Sequence, residues 1–270
     1  LTILSILIGI TAIFALISFG QGLEKYIDDF AQEQGTDKIL IQPKGLPAPG
    51  TSNIELNDED VNFIRKIKGV DEATGWMVSY GKVEFKDFKD KYMLVLGFSS
   101  KSEERRLVEE IATIDIEQGR NLKKGDTLKA LLGYNYLIPD KIFKRPITLG
   151  DKIEINDVQV EVIGFYEKVG NPQDDSQVYL SHEGFEKIFE ENTFEYIAIR
   201  SSQGVDPSFL SEKIQTEFRE YRGQEEGEED FFVQTFEQAI ETFTSVILIM
   251  NAVLVLIALI SIIIAGVNIM

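Results

Sequence analysis

The pattern of apolar and polar positions divides the chain into three. Residues 1–23 carry no charged side chain, and neither do residues 242–270. All 27 basic and 45 acidic side chains fall between them. Leu1–Ser18 is long enough to cross about 30 Å of hydrocarbon as a helix, and the run Val246–Met270 is longer. The pattern therefore predicts transmembrane helices at 1–23 and 242–270, flanking a polar domain at 24–241. A cleaved signal peptide is the competing reading of the first run. It has no basic segment ahead of it and no convincing small-x-small site near Gly20–Gly22. A buried soluble helix is the competing reading of the second, and its charge-free length argues against that. The chain opens at Leu1 and stops inside an apolar run, so it reads as a fragment of a longer membrane protein.

Within the first span, Thr2, Ser5, Gly9 and Ala12 recur at spacings of three and four and share one helix face. Such a face lets another membrane helix approach closely; chance in a tolerant span is the alternative. Asn251 and Asn268 in the second span are poor neighbours for lipid, so they are expected at a helix contact or at the membrane boundary.

The middle alternates between helical and strand periods. Leu23, Tyr26, Ile27 and Phe30 repeat as on a helix, Lys38–Gln42 reads as a strand, and Pro43–Ser52 as a loop. Asn57 followed by Asp58, Glu59 and Asp60 is an N-cap with an acidic first turn. Val61, Ile64 and Ile67 continue that helix until Gly69. Val78–Phe85 and Tyr92–Phe98 read as a β-hairpin around a polar turn. Ile153, Ile155, Val158, Val160 and Val162 alternate about the Asn156-Asp157 turn. Val178–Leu180 and Tyr196–Arg200 are further strands. Ser181 caps a short helix over Phe185–Phe189, and Asp206-Pro207 opens another, with Leu210, Ile214, Phe218 and Tyr221 as its stripe. Gly223–Asp230 reads as an acidic loop, and Phe231–Thr242 as a helix running into the second span. Strands and helices mix without strict alternation, so the class is α+β.

Composition narrows the chemistry. A net charge of −18 speaks against nucleic-acid binding, which needs clustered Lys and Arg. With no cysteine and one histidine, disulfides and Cys- or His-rich metal sites are excluded. The apolar share of 44% allows a real core. His182 is read as a surface turn residue, since adjacency to Ser181 does not make a triad. Gly75–Val83 fails as a phosphate loop, because its spacing is one residue too long and Val83 stands where Ser or Thr is needed. The acidic run Glu225–Asp230 lacks the ligand spacing of a calcium loop, and Asp174-Asp175 reads as a polar turn. No catalytic, cofactor-binding or metal-ligating residue is identified, which favours a domain that binds, senses or transmits motion.

Five motifs in order carry a family resemblance. Gly20-Gln21-Gly22-Leu23 ends the first span, and Gln34–Pro43, with Gly35 and Pro43, matches a strand motif. Gln118-Gly119-Arg120 matches a "G-R" element. Leu149–Ile155 with Val158–Gly164, including Gly150 and Gly164, matches a hairpin. Ala265–Met270, with Asn268, matches the start of a second-helix motif. Together they resemble the MacB/FtsX-like ABC transporter permeases, over the whole chain and in the right order. That resemblance implies an extracytoplasmic domain with a βαβ porter-like part (24–98 and 193–241) and an inserted β-rich part (99–192).

It further implies two more membrane helices, a multi-pass protein of the cell membrane, and a second permease copy in a homo- or heterodimer. A cytoplasmic ABC ATPase, holding ATP and magnesium that this chain does not, would drive the outer domain by mechanotransmission. Export or release of drugs, peptides or lipoproteins would follow. Membrane lipid and a periplasmic adaptor are the other implied partners, although no docking element for an outer-membrane partner is recognisable. The family's MacB carries its ATPase ahead of this region, and this chain shows none, which leaves the ATPase upstream or on another chain. The alternative is a two-span receptor with an extracytoplasmic ligand-binding domain; a membrane-anchored enzyme is the remaining option.

Overall fold

A computed structural model describes residues 11, 13–22, 25, 37–44, 54–86 and 88–267, without the side chains of 243, 247, 258 and 261–267. Thr2, Ser5, Gly9, Ala12, Gly35 and Asn268 lie outside the described residues, as does the predicted helix at 23–30 apart from Lys25. The chain forms two compact units, residues 1–36 with 235–270, and residues 37–234.

The larger unit is built on one sheet of ten strands. These are β1 (Lys38–Pro43), β2 (Val70–Glu84), β3 (Lys91–Phe98), β4 (Ile116–Gly119), β5 (Lys129–Leu132), β6 (Lys152–Ile155), β7 (Val158–Tyr166), β8 (Val178–Ser181), β9 (Tyr196–Ser201) and β10 (Phe231–Thr235). Among the described residues, four α-helices accompany them: α1 (Asp58–Ile64), α2 (Ser102–Ala112), α3 (His182–Phe189) and α4 (Pro207–Tyr221). The mixed α+β class read from the sequence is the observed one.

The 15-residue β2 organises everything else. Its first half, from Val70 to Trp76, pairs antiparallel with β9, beyond which lie β1 and β10. Its second half, from Met77 to Val83, pairs antiparallel with β3, and Val83 and Glu84 also pair with β6. From β3 the pairing runs to β8, β5, β7, β6 and back to β2, which closes a six-stranded ring. The open part is called the sheet lobe below, and the closed part the ring lobe. A division between Phe98 and Ser99 would part β3 from β8, with which it pairs in parallel; the change of partner falls between Trp76 and Met77.

The alternation of side chains along these strands sorts the core into two layers. Val83, Val95, Ala130, Leu132, Ile153, Ile155, Val160, Val162, Val178 and Leu180 fill the ring. The same layer continues under the sheet lobe, where Ile39, Ile41, Ile197 and Ile199 meet Val61 and Ile64 of α1 and Leu210, Ile214 and Phe218 of α4. On the opposite face, α2 covers a second layer with Val78, Leu96, Phe98, Tyr166, Tyr179 and Ala198.

The local signals place three helix starts. Asn57 Oδ1 accepts from Glu59 N and Asp60 N while Asp60 Oδ2 accepts from Asn57 N, a capping box. Ser181 caps α3 and Asp206 caps α4 ahead of Pro207. Three boundaries differ from the sequence reading: the first helix ends at Ile64 rather than running to Gly69, β2 begins at Val70 rather than Val78, and the chain before the last helix is extended. Phe231–Thr235 is a strand rather than part of the following helix, since Phe231 is buried edge-on to Phe218 with ring centroids 4.7 Å apart. The helix starts only at Phe236, where Thr235 and Gln238 exchange side-chain-to-backbone hydrogen bonds of 2.9 and 3.1 Å.

In the smaller unit, α5 (Phe236–Val267) is the one described helix long and apolar enough to cross a membrane, by length and composition, over Phe236–Ile257. It begins six residues before the predicted span. Ile13–Gly22 is a shorter apolar helix. Gly20 is buried against Asn251, so that a Cβ there would lie 2.8 Å from Asn251 Nδ2.

Candidate functional site

The two lobes meet at a seam, and the seam has a chemical problem. Between Val70 and Trp76, β2 has β9 on one side and, among the described residues, no strand on the other. Its outward carbonyls need donors from elsewhere, because a buried acceptor left unpaired is costly. Two side chains supply them. Arg65, one residue past α1, donates from Nε and Nη2 to the Ala73 carbonyl at 2.9 and 2.7 Å. His182, the first residue of α3, places Nε2 3.1 Å from the Gly75 carbonyl. A carbonyl can only accept, so Nε2 carries the proton.

His182 is thus no surface turn residue. It is half-buried, and its ring centroid stands 5.2 Å from that of Phe194. Burial lowers its pKa from the ordinary 6.5, against the opposing pull of the Gly75 carbonyl and of Asp58, Glu183 and Glu104. Gly75 itself admits no side chain, because a Cβ would fall 2.2 Å from Phe194.

A cleft of about 210 Å³ opens beside this edge, among Arg65, Gly75, Lys101, Glu104, His182 and Glu186. Its charges are mostly engaged with each other. Glu104 accepts from Arg65 at 2.7 Å, Lys101 at 2.8 Å and Ser99 Oγ at 2.7 Å. Burial works to raise the Glu104 pKa, but the bonds from Lys101 and Ser99 and the charge of Arg65 hold it below the usual carboxylate value. This arrangement holds two lobes in register. Nothing marked Arg65 or Glu104 in the sequence, where each is one charged residue in a charged helix.

The motif residues gather at a second place. Gly119 on β4 pairs with Gly164 on β7. Gly119 has φ +84°, and a Cβ there would lie 2.2 Å from the Ile163 carbonyl oxygen and 2.8 Å from Leu149 Cδ2. A Cβ on Gly164 would lie 2.6 Å from Leu131 and 2.8 Å from the Arg120 carbonyl. Arg120 donates through its backbone to Ile163 and through its guanidinium to both Asp126 oxygens, at 2.6 and 3.1 Å. These bonds, with those from Lys123 N and Lys129, overcome burial and hold the Asp126 pKa at about 2. Gly150 (φ +83°) turns the chain next to them and donates to the Val162 carbonyl. Pro43 is buried at the end of β1, whereas Gln21 and Gly22 are exposed.

The acidic loop is tied down at its end, while Glu225, Glu226 and Glu228 are exposed. Glu229 pairs with Arg219 at 3.3 Å and with Lys44 at 3.7 Å, and Asp230 pairs with Arg222 at 3.1 Å. The near-phosphate-loop string Gly75–Val83 lies wholly within β2. Trp76 packs half-buried against Tyr196, with ring centroids 5.1 Å apart.

The two-lobed fold and the clustered motif glycines define a class, the MacB-like periplasmic core domain, whose family model matches residues 1–217. The chain belongs to that family. It is 32% identical over 244 residues to an uncharacterised ABC transporter permease of Methanocaldococcus jannaschii, a match covering 90% of this chain and 58% of that protein. It is 26% identical over 249 residues to the macrolide export ATP-binding/permease protein MacB of Bartonella henselae, covering 87% of this chain and 35% of that one. The crystal structure of the periplasmic region of MacB from Actinobacillus actinomycetemcomitans superposes with a TM-score of 0.62 at 18% identity, over 77% of this chain and 93% of that one. That last likeness is one of fold.

Proposed function

We propose that this chain is the extracytoplasmic domain and flanking membrane segments of an ABC transporter permease, and that it works by moving. A cytoplasmic ABC ATPase, holding ATP and magnesium, would supply the energy. A second permease copy would face this one, and residues 37–234 would carry the motion outside the membrane. The substrate class is an exported drug, peptide or lipoprotein. In this reading the chain binds no cofactor of its own, the protein is multi-pass, and membrane lipid and an extracytoplasmic adaptor are its other neighbours.

One observation carries the reading beyond family membership. The strands that begin and end the outer unit are neighbours in the sheet, β10 beside β1. Lys44, just after β1, donates to the carbonyl of Asp230, just before β10. The two strands therefore run antiparallel, and Lys38 and Thr235 lie at the same end of the sheet. Motion delivered to either flanking segment enters one hydrogen-bonded pair.

The test uses the full permease with its ATPase in lipid nanodiscs. Single-cysteine variants place a cross-linker or spin label on the outer unit of each copy. The expected result is a spacing that changes between nucleotide-free and ATP-trapped states. An unchanged spacing, with the ATPase turning over, overturns the proposal.

A further inference from the structure

The backbone crosses the seam between the lobes twice, along β2 and again between α3 and β9. Two chain segments therefore join the lobes. Helix α2 lies across the seam and grips both sides. Its apolar residues Leu107, Val108 and Ile111 lie in the layer that contains Ala198 of the sheet lobe and Phe98, Tyr166 and Tyr179 of the ring lobe. Its carboxylates divide between the two sides. Glu109 accepts from the Tyr166 hydroxyl at 2.8 Å and from Asn121 Nδ2 at 2.6 Å, both ring-lobe groups. Glu104 accepts from Arg65 beside α1 at 2.7 Å, a sheet-lobe group. Glu110 accepts from Arg200 of β9 at 3.0 Å, with Lys38 of β1 3.6 Å away.

An isolated surface ion pair contributes little. These pairs are different in placement. Glu104 and Glu110 stand near opposite ends of a helix whose Leu107 is fully buried. Turning one lobe against the other breaks both pairs and also uncovers that apolar layer. Well-packed interfaces resist such partial opening.

We infer that α2 is a strap that holds the sheet lobe and the ring lobe as one rigid lever, so that residues 37–234 keep their shape while the permease works. The clause about work rests on the ATP-driven reading above; the strap itself is tested without nucleotide.

The experiment uses the full permease with its ATPase in nanodiscs, with one spin label at Phe209→Cys in the sheet lobe and one at Lys152→Cys in the ring lobe. Both sites are exposed, and this chain has no cysteine to compete. The expected distance distribution is narrow and identical with and without trapped ATP. Glu104→Ala combined with Glu110→Ala is expected to broaden it in the nucleotide-free state. Glu104→Gln with Glu110→Gln, which keeps side-chain size, is expected to do the same. A distribution that shifts with ATP in the parent protein overturns the rigid lever. A distribution that stays narrow in both double variants overturns the strap. Labels on the two copies, measured in parallel, report the coupling reading separately: if they do not move, that reading fails while broadening in the variants still establishes the strap.

Discussion

Arg65 and His182 reach the same strand edge from opposite lobes and bond carbonyls two residues apart, Ala73 and Gly75. Between them they cover an edge that no described strand pairs. An edge with open hydrogen-bonding groups invites pairing with another chain, and here side chains close it. The edge at β10 is treated in the same way, with Val233 N donating to Gln215 Oε1 at 2.8 Å.

Arg65 serves the buried Ala73 carbonyl and the half-buried Glu104, which also accepts from Lys101 and Ser99. Arg65→Ala strands only the Ala73 carbonyl and is expected to cost about 1–3 kcal/mol. Urea unfolding of the detergent-solubilised chain measures it. A loss within experimental error of zero would show that solvent replaces the guanidinium.

His182 gives the domain a pH dependence with a definite sign. Its folded pKa is depressed below 6.5. Once pH falls below about 6.5, the unfolded chain takes up a proton that the folded chain resists. Stability is therefore complete at neutral pH and declines as pH falls from about 6.5 toward the folded value. His182→Gln offers an amide donor with no titration, so its melting temperature is expected to be flatter across this window. Parallel curves for parent and variant would refute the assignment.

Asp126 acts at much lower pH. Its folded pKa is about 2 against an ordinary 3.8, so its contribution is present above 3.8 and lost as pH falls toward 2. One pH unit corresponds to about 1.4 kcal/mol, and Arg120 is 38% exposed, so solvent screening trims the total to about 1–2 kcal/mol. Asp126→Asn is expected to remove that amount at neutral pH and nothing at pH 2, as read from denaturation midpoints at the two pH values.

Two glycines separate conformation from contact. Gly125 (φ +91°) has open space where a Cβ would go, whereas Gly119 (φ +84°) does not. Gly125→Ala is expected to cost about 1 kcal/mol, from backbone strain alone. Gly119→Ala adds a clash with the Ile163 carbonyl and is expected to cost roughly 2–4 kcal/mol. Equal losses in urea midpoints would place the reason for Gly119 in its φ angle rather than in the β4–β7 approach.

In the smaller unit, Gly20→Ala forces the Asn251 amide to move. Its effect on detergent melting is expected to shrink when Asn251 is also Ala, with a coupling of about 0.5–1.5 kcal/mol in a double-mutant cycle. Additive effects would mean that the two residues are not in contact.

Much of this fold is legible where the signal is local. Asn57, Ser181 and Asp206 announce helix starts because capping is settled within four residues. The Asn156-Asp157 turn with its alternating valines and isoleucines announces β6 and β7. Helix α2 is not legible. Its sequence SEERRLVEEIA shows a narrow apolar stripe among charges, and what makes it a helix of consequence is the layer it covers. The strand β10 fails for the same reason, as Phe231 is committed by Phe218 and by β1, all distant in sequence. The motif glycines stand out as residues, but their meeting at Gly119 and Gly164 depends on pairing across 45 positions. His182 is misread because a histidine beside a cap looks solvent-facing until the bare edge of β2 comes into view.

On the proposed coupling, the antiparallel pairing of β1 and β10 would decide which movements residues 37–234 receive. When its two flanking segments travel together, the load is shared by the whole sheet and the unit is carried along. When they separate, the load falls on one backbone hydrogen bond at a time, beginning at the Lys38–Thr235 end, as in opening a zipper. Strands loaded this way part at far lower force than strands slid lengthwise. Under the coupling proposed above, the unit would pass on concerted displacement and yield to splaying, a mechanical filter set by nothing more than which two strands stand side by side.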